Sequence, residues 1–134
     1  LPDGKRNAWA GYAFEQVCIL HIDQIKQALG ISGIACDVCS WSYKDEKQGA
    51  QIDLVIDRND KSIDLCEIKY NVGQYELKKD YVEWLRERRN LFRDVTGTRK
   101  TLRLTMISSG GIKAGKYVSS IQGKVTLSGL FSEG

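Results

Sequence analysis

Gln51-Ile-Asp-Leu-Val-Ile-Asp-Arg-Asn-Asp60 and Lys61-Ser-Ile-Asp-Leu-Cys-Glu-Ile-Lys-Tyr70 are the consecutive segments whose reading decides the fold. Ile52, Leu54, Val55 and Ile56 make one apolar run, and Ile63, Leu65, Cys66 and Ile68 a second. Arg58-Asn59-Asp60-Lys61 between them is a polar turn signal, so the stretch from Ala50 to Tyr70 reads as a β-hairpin. Its charges are out of place. Asp53 interrupts the first run, and Glu67 and Lys69 close the second. Strand residues two apart share a face, so Glu67 and Lys69 stand side by side. In an antiparallel pair Asp53 comes opposite or diagonal to them. Charge on an apolar sheet is costly unless it is paired or ligates a metal. Two readings follow: a structural ion pair at a strand end, or a divalent-cation site in which carboxylates hold the ion and the lysine orients a water.

Upstream, Phe14, Val17, Cys18, Ile22, Ile25 and Leu29 recur at helical spacing, which predicts a first helix from Ala8 to Leu29 stopped by Gly30. Glu15 lies on it, either as a solvated carboxylate near the helix start or as a third ligand if the helix packs across the hairpin. Residues 34–41 read as a strand and residues 42–49 as a polar connection carrying Lys44 and Lys47. These two lysines are solvated or touch phosphate.

Downstream, Asn71 to Gln74 reads as a loop and Tyr75 to Val95 as a second helix. Leu77, Tyr81, Trp84, Leu85, Leu91 and Phe92 are its expected buried face. Arg86, Arg88, Arg89 and Arg93 decorate it, either as a solvated charge run beside Glu83 and Glu87 or as a phosphate-contact surface. Lys100 to Ile107 alternates and is β-rich, a fourth strand. Ser108-Ser109-Gly110-Gly111 is a turn; it lacks the Lys-Ser/Thr ending of a phosphate-binding loop. Residues 113–117 read as a short helical or irregular piece, and Lys124 to Phe131 as a last strand. The order is helix, three strands, helix, strand, and one extra strand. That is an α/β (α+β-like) arrangement: a mixed sheet flanked by helices, with a parallel addition after the second helix.

The 134 residues are 42% hydrophobic and 28% charged, enough for one ordinary core. A net charge of +3 permits a nucleic-acid partner without requiring one. No apolar run is long enough to span a bilayer, and no membrane partner is expected. Leu1 to Asn7 reads as a linker remnant ahead of a domain over residues 8–134. The absent initiator Met fits a piece of a longer protein. Cys36 and Cys39 have C-x-x-C spacing without a second close pair, and within a strand they face opposite sides. The four cysteines are therefore expected as buried thiols in a reducing cytoplasm, and His21 is given no role.

A helix-borne Glu15, then Asp53 in one strand, then Glu67-Ile68-Lys69 in the next resembles the PD-(D/E)xK nuclease superfamily over residues 8–131. Gly11-Tyr12-Ala13-Phe14-Glu15, Glu67-Ile68-Lys69-Tyr70, the arginine-rich helix and the Met106 to Gly111 turn resemble one branch in particular. That branch is the nuclease-like domain at the C-terminus of prokaryotic AAA-type ATPases. Ile52 stands where the superfamily's name has Pro.

The resemblance implies a restriction-endonuclease-like core and hydrolysis of phosphodiester bonds in nucleic acid, with DNA the expected form. It implies Mg²⁺ or Mn²⁺ on Asp53, Glu67, the Ile68 carbonyl and Glu15, with Lys69 as the water-orienting catalytic residue. Arg86, Arg89, Arg93, Lys44 and Lys47 would contact the nucleic acid. The N-terminal ATPase region of the same protein and a second copy of the domain are the further expected partners. The competing expectation is an idle nuclease fold used for DNA binding or for assembly with the ATPase.

Overall fold

The computed structural model describes Gln16 and residues 18–127. Five strands, β1 (Cys36–Lys44), β2 (Gly49–Arg58), β3 (Ser62–Lys69), β4 (Thr101–Ser108) and β5 (Gly123–Thr126), form one sheet in the order β1-β2-β3-β4-β5. The first three make an antiparallel meander. Strands β3, β4 and β5 run parallel. The expected mixed sheet with a parallel addition is therefore present, and helices lie on both of its faces.

Each face of the sheet carries its own core. On one face Leu54, Ile56, Cys66, Ile68, Ile107 and Val125 pack with Cys18 and with Ile25 of helix α1 (Ile22–Ala28). On the other, Val55, Ile63, Leu65 and Leu102 meet Phe92 of helix α2 (Lys79–Thr96). Leu104 and Met106 on that face meet Val82 and Leu85. Burying one such side chain is worth roughly 1.5–3 kcal/mol, so the two faces together commit every strand to its register. Helix α2 is the crossover between β3 and β4, and a parallel pair requires such a crossover. Its end is set by Gly97, whose left-handed φ of 67° and N–H to the Arg93 carbonyl close the last turn.

Several boundaries differ from expectation. Residues 18–20 are helical, but His21 breaks the run as a turn before α1 begins. Gly30, at φ 75°, ends the helical segment as expected. Strand β1 continues through Ser42, Tyr43 and Lys44, which the sequence reads as connection, because Trp41 and Tyr43 keep the alternation going. The real turn is Asp45 to Gln48, where the Asp45 carboxylate accepts the N–H groups of Lys47 and Gln48 at 2.8 Å each. Helix α2 starts four residues later than expected. Tyr75 instead makes a bridge with Ile112, and Leu77 is buried from an extended segment. A 3₁₀ turn at Val118–Ser120 follows the irregular residues 113–117. Of the last strand, residues 128–131 lie outside the described residues, as does the linker.

Cys18 and Cys66 are buried as expected, whereas Cys36 is half-buried and Cys39 exposed on the edge strand. No disulfide joins these cysteines. Among the described residues no helix is long and apolar enough to cross a membrane.

Candidate functional site

The β2–β3 ladder runs from Asp57↔Ile63 to Leu54↔Cys66 and stops. The next residues on the two strands are Asp53 and Glu67. An irregularity in the β1–β2 pairing falls at the same place: between Cys39↔Val55 and Trp41↔Ile52 lies one residue on β1, Ser40, against two on β2, Asp53 and Leu54. This is a β-bulge, with the extra residue at Asp53-Leu54. It resets the alternation. Ile52 packs with Val55 and Phe92 on the α2 face, although Leu54 and Ile56 point to the α1 face. Asp53 is thereby released at an exposed position next to the α2 face. Its carboxylate accepts the Gln51 amide at 2.8 Å.

Glu67 and Lys69 share the α2 face of β3, as period-two alternation requires. Lys69 Nζ is 4.0 Å from Glu67 Oε1. It also lies 5.0 Å from the Tyr81 ring centroid and 5.7 Å from that of Tyr75. These rings form an aromatic wall that attracts the ammonium. The strand end carrying Lys69 is stitched to the end of β4. The Ser109 N–H donates to the Lys69 carbonyl at 3.1 Å, and the Asn71 N–H donates to Ser109 Oγ at 2.8 Å. Gly110 makes this possible, since a Cβ there would fall 1.8 Å from the Gly73 carbonyl oxygen.

Carbonyls alternate in direction along a strand. With that of Lys69 turned to β4, that of Ile68 is directed towards β2, beyond the last paired residue. Two carboxylates and one main-chain oxygen thus border the open end of the ladder. That donor set suits a hard cation, which takes oxygen ligands and keeps several waters. Glu15 lies outside the described residues. Among the described residues no group of three or more His, Cys, Asp or Glu side chains converges on a metal position.

Arg88 departs from the expectation that it decorates the helix surface. Its side chain is only 10% exposed, and its Nη1 lies 3.0 Å from Glu67 Oε2. The guanidinium stacks 4.3 Å from the Trp84 ring centroid. Trp84 itself, expected in the buried face, is 43% exposed and acts as the outer cover of Arg88. Burial pushes the Glu67 carboxyl above the usual range. Arg88 and then Lys69 oppose that shift, and the Asp53 charge adds to it, so both carboxylates share one electrostatic patch. Tyr81 is pushed up as well, by burial and then by the Glu67 charge. Two buried polar atoms beside this patch have no hydrogen-bond partner among the described residues: Tyr81 Oη and Arg88 Nε. Unpaired buried donors of this kind point to a water or ligand atom at the site.

The remaining arginines lie elsewhere. Helix residues two apart are separated by about 200°, so Arg86 projects away from Trp84 and Arg88. It donates to Ser120 Oγ at 3.0 Å. Arg89 is held below the usual arginine range by partial burial and by the charges of Arg93 and Arg86, which shows that the three form one stripe. Lys44 ends β1, and Lys47 is in the Asp45–Gln48 turn.

Sequence reasoning missed Arg88 and Tyr81 as neighbours of Glu67. Helical phase was the available signal. Arg88 is three residues after Leu85 and four before Phe92, which puts it on the buried stripe that its charge argues against. No protein-family model, no curated protein and no solved structure matches this chain.

Proposed function

We propose that this domain hydrolyses phosphodiester bonds in nucleic acid, with DNA the expected substrate, in a reaction dependent on Mg²⁺ or Mn²⁺. The observation that carries the reading is that Asp53 and Glu67 are the next residues beyond the last pair of the β2–β3 ladder, with Lys69 Nζ 4.0 Å from Glu67. In this reading the sheet, with its preceding and crossover helices, is a restriction-endonuclease-like core of order αβββαβ plus one strand, as in the PD-(D/E)xK superfamily. Asp53, Glu67 and the Ile68 carbonyl would hold the cation, with Glu15 completing the set from the first helix. When bound, such an ion lowers the pKa of its water and draws charge from the scissile phosphate. The chain's own part is positional. Lys69, fixed against Tyr75 and Tyr81, orients the attacking water and offsets negative charge growing on the phosphate. The three-arginine stripe, Lys44 and Lys47 are backbone-contact candidates outside this centre.

The test is cleavage of single- and double-stranded DNA and of RNA with Mn²⁺, by the wild-type domain and by Asp53→Ala and Lys69→Ala. Both substitutions should abolish metal-dependent cleavage and leave the circular dichroism spectrum unchanged. Absence of Mn²⁺-dependent cleavage of every substrate by the wild-type domain would reject the proposal.

A second reading has its own support. Arg88 already neutralises Glu67, which suits an idle nuclease fold that serves an ATPase as a DNA-binding or assembly module. Salt-sensitive DNA binding without any uptake of Mg²⁺ or Mn²⁺ would favour it.

A further inference from the structure

We propose that Arg88 is a built-in counter-ion for Glu67, holding the carboxylate until a divalent cation takes its place, so that Arg88 and the cation compete for Glu67 Oε2. The inference rests on the reading of Asp53 and Glu67 as a cation site, and it assigns to the site a positioning residue on the crossover helix.

Three observations lead to it. The first is occupancy. Among the described residues, Glu67 Oε2 has Arg88 Nη1 at 3.0 Å, while the nearest cation to Oε1 is Lys69 at 4.0 Å. A cation shared with Asp53 meets a carboxylate whose closest partner is already a full positive charge. Two cations cannot crowd one half-buried carboxylate without strong repulsion, because the charges are poorly screened there.

The second is the incompleteness of the Arg88 setting. A buried guanidinium held for structure alone is expected to have its donors satisfied. Among the described residues Arg88 Nε has no hydrogen-bond partner, and neither does Tyr81 Oη. Arg88 therefore holds Glu67 without being locked by a full set of hydrogen bonds.

The third is an alternative seat. The guanidinium lies over the indole of Trp84 at 4.3 Å, and that indole is open to solvent on its outer side. A shallow groove of about 130 Å³ continues from there, lined by Gln48, Gly49, Ala50, Glu87 and Leu91 besides Trp84 and Arg88. Arg88 can slide along the ring towards Glu87 and the groove, keeping its cation–π contact while releasing Glu67. The displaced charge remains near the site, where it can meet the phosphate that a bound cation attracts.

The experiment has two arms. In the first, the guanidinium ¹⁵Nε signal of Arg88 in the wild-type domain is followed by NMR during a Mg²⁺ titration. It should shift, and its proton should exchange faster with water, in step with saturation of the site. In the second, Mn²⁺ binding is measured by calorimetry for wild type, Arg88→Met and Arg88→Lys. Arg88→Met should bind Mn²⁺ at least about tenfold more tightly, as removal of a neighbouring positive charge implies. Arg88→Lys, which keeps the charge, should stay close to wild type. An Arg88 signal that does not move at saturating Mg²⁺ would overturn the proposal while leaving the cation site standing. So would an Arg88→Met variant that binds Mn²⁺ no better than a wild type that does bind it. Binding by neither wild type nor Arg88→Met would reject the cation site itself, and this proposal with it. Should Arg88→Met fail to fold, the wild-type NMR arm decides alone.

Discussion

Strand β3 carries a buried and a half-buried carboxylate three residues apart, and the sheet treats them in opposite ways. Asp64 faces the α1 side and is fully buried, with 0% of its side chain exposed. It accepts hydrogen bonds from Thr105 Oγ1 at 2.6 Å, Arg103 Nε at 2.9 Å and Arg58 Nη1 at 3.1 Å. Arg58 is itself held by Asp60. Glu67 faces the α2 side, 18% exposed, with one close cation, one distant one, a second carboxylate nearby and two unpaired polar atoms as neighbours. Asp64 is saturated and Glu67 is not. A saturated buried ion network holds strands together, whereas an unsaturated one leaves lone pairs and donors for something else to use.

The sharpest way to break this contrast is to remove Asp64. Asp64→Ala leaves Arg103 Nε, the Thr105 hydroxyl and half of the Arg58 fork without an acceptor and should cost about 3–5 kcal/mol in urea unfolding. Cation uptake at the other face should persist in the folded fraction. If Asp64→Ala were neutral in stability, the division of roles between the two carboxylates would fail.

A smaller loss is expected from Gly123→Ala. A Cβ there would meet Thr105 Oγ1 at 2.6 Å and Cγ2 at 2.9 Å, driving the hydroxyl off Asp64. Overpacking of this kind costs about 1–3 kcal/mol, read as a lower urea midpoint. Combining it with Thr105→Ser should recover part of the loss by removing the Cγ2 contact.

Lys69→Ala should show the reverse pattern. Lys69 sits 4.0 Å from its carboxylate partner and is 30% exposed, so its loss should change stability by less than about 1 kcal/mol. Cleavage, by contrast, should disappear. A stability loss as large as that of Asp64→Ala would make Lys69 a structural residue.

The smallest effect expected is a pH slope. Burial raises the folded-state pKa of Glu67 above its ordinary value. The folded protein then holds that proton more tightly than the unfolded chain does. The contribution of Glu67 to stability is therefore fully present below the ordinary glutamate pKa and is lost as pH rises through the raised one. Wild type should lose stability relative to Glu67→Gln across that window, with a flat difference on either side. Asp60 is held below the ordinary range by Arg58, and its contribution runs the opposite way, disappearing as pH falls. A wild-type curve parallel to that of Glu67→Gln throughout would show that Glu67 is not held as described.

Much of this is legible in the sequence. The hairpin was readable because apolar alternation and the Arg58 to Lys61 turn agree, and Glu67 and Lys69 had to share a face by period alone. Helix α2 and strand β4 were readable from their periods, with errors at the ends where tertiary contacts took over. Tyr75 traded a helical turn for a bridge to Ile112, and Ser42 to Lys44 stayed extended because an edge strand tolerates polar residues on its outward side. The bulge that sets Asp53 apart from Leu54 was not legible, because a one-residue excess shows only when two strands are laid against each other. Nor was the sorting of the arginines. Four similar side chains in one helix divide into one buried partner of Glu67 and three on another flank, and composition does not separate them. Glu15, the third expected ligand, lies outside the described residues; the described part of the site is Asp53, Glu67, Ile68 and Lys69.

The most direct test of the central claim is anomalous diffraction from crystals of the domain soaked in Mn²⁺. The account predicts a manganese peak between the carboxylates of Asp53 and Glu67, beside the Ile68 carbonyl, with Lys69 facing the ion's waters and Arg88 drawn off Glu67 Oε2. Saturating Mn²⁺ with no peak there, and Arg88 still paired to Glu67, would contradict it.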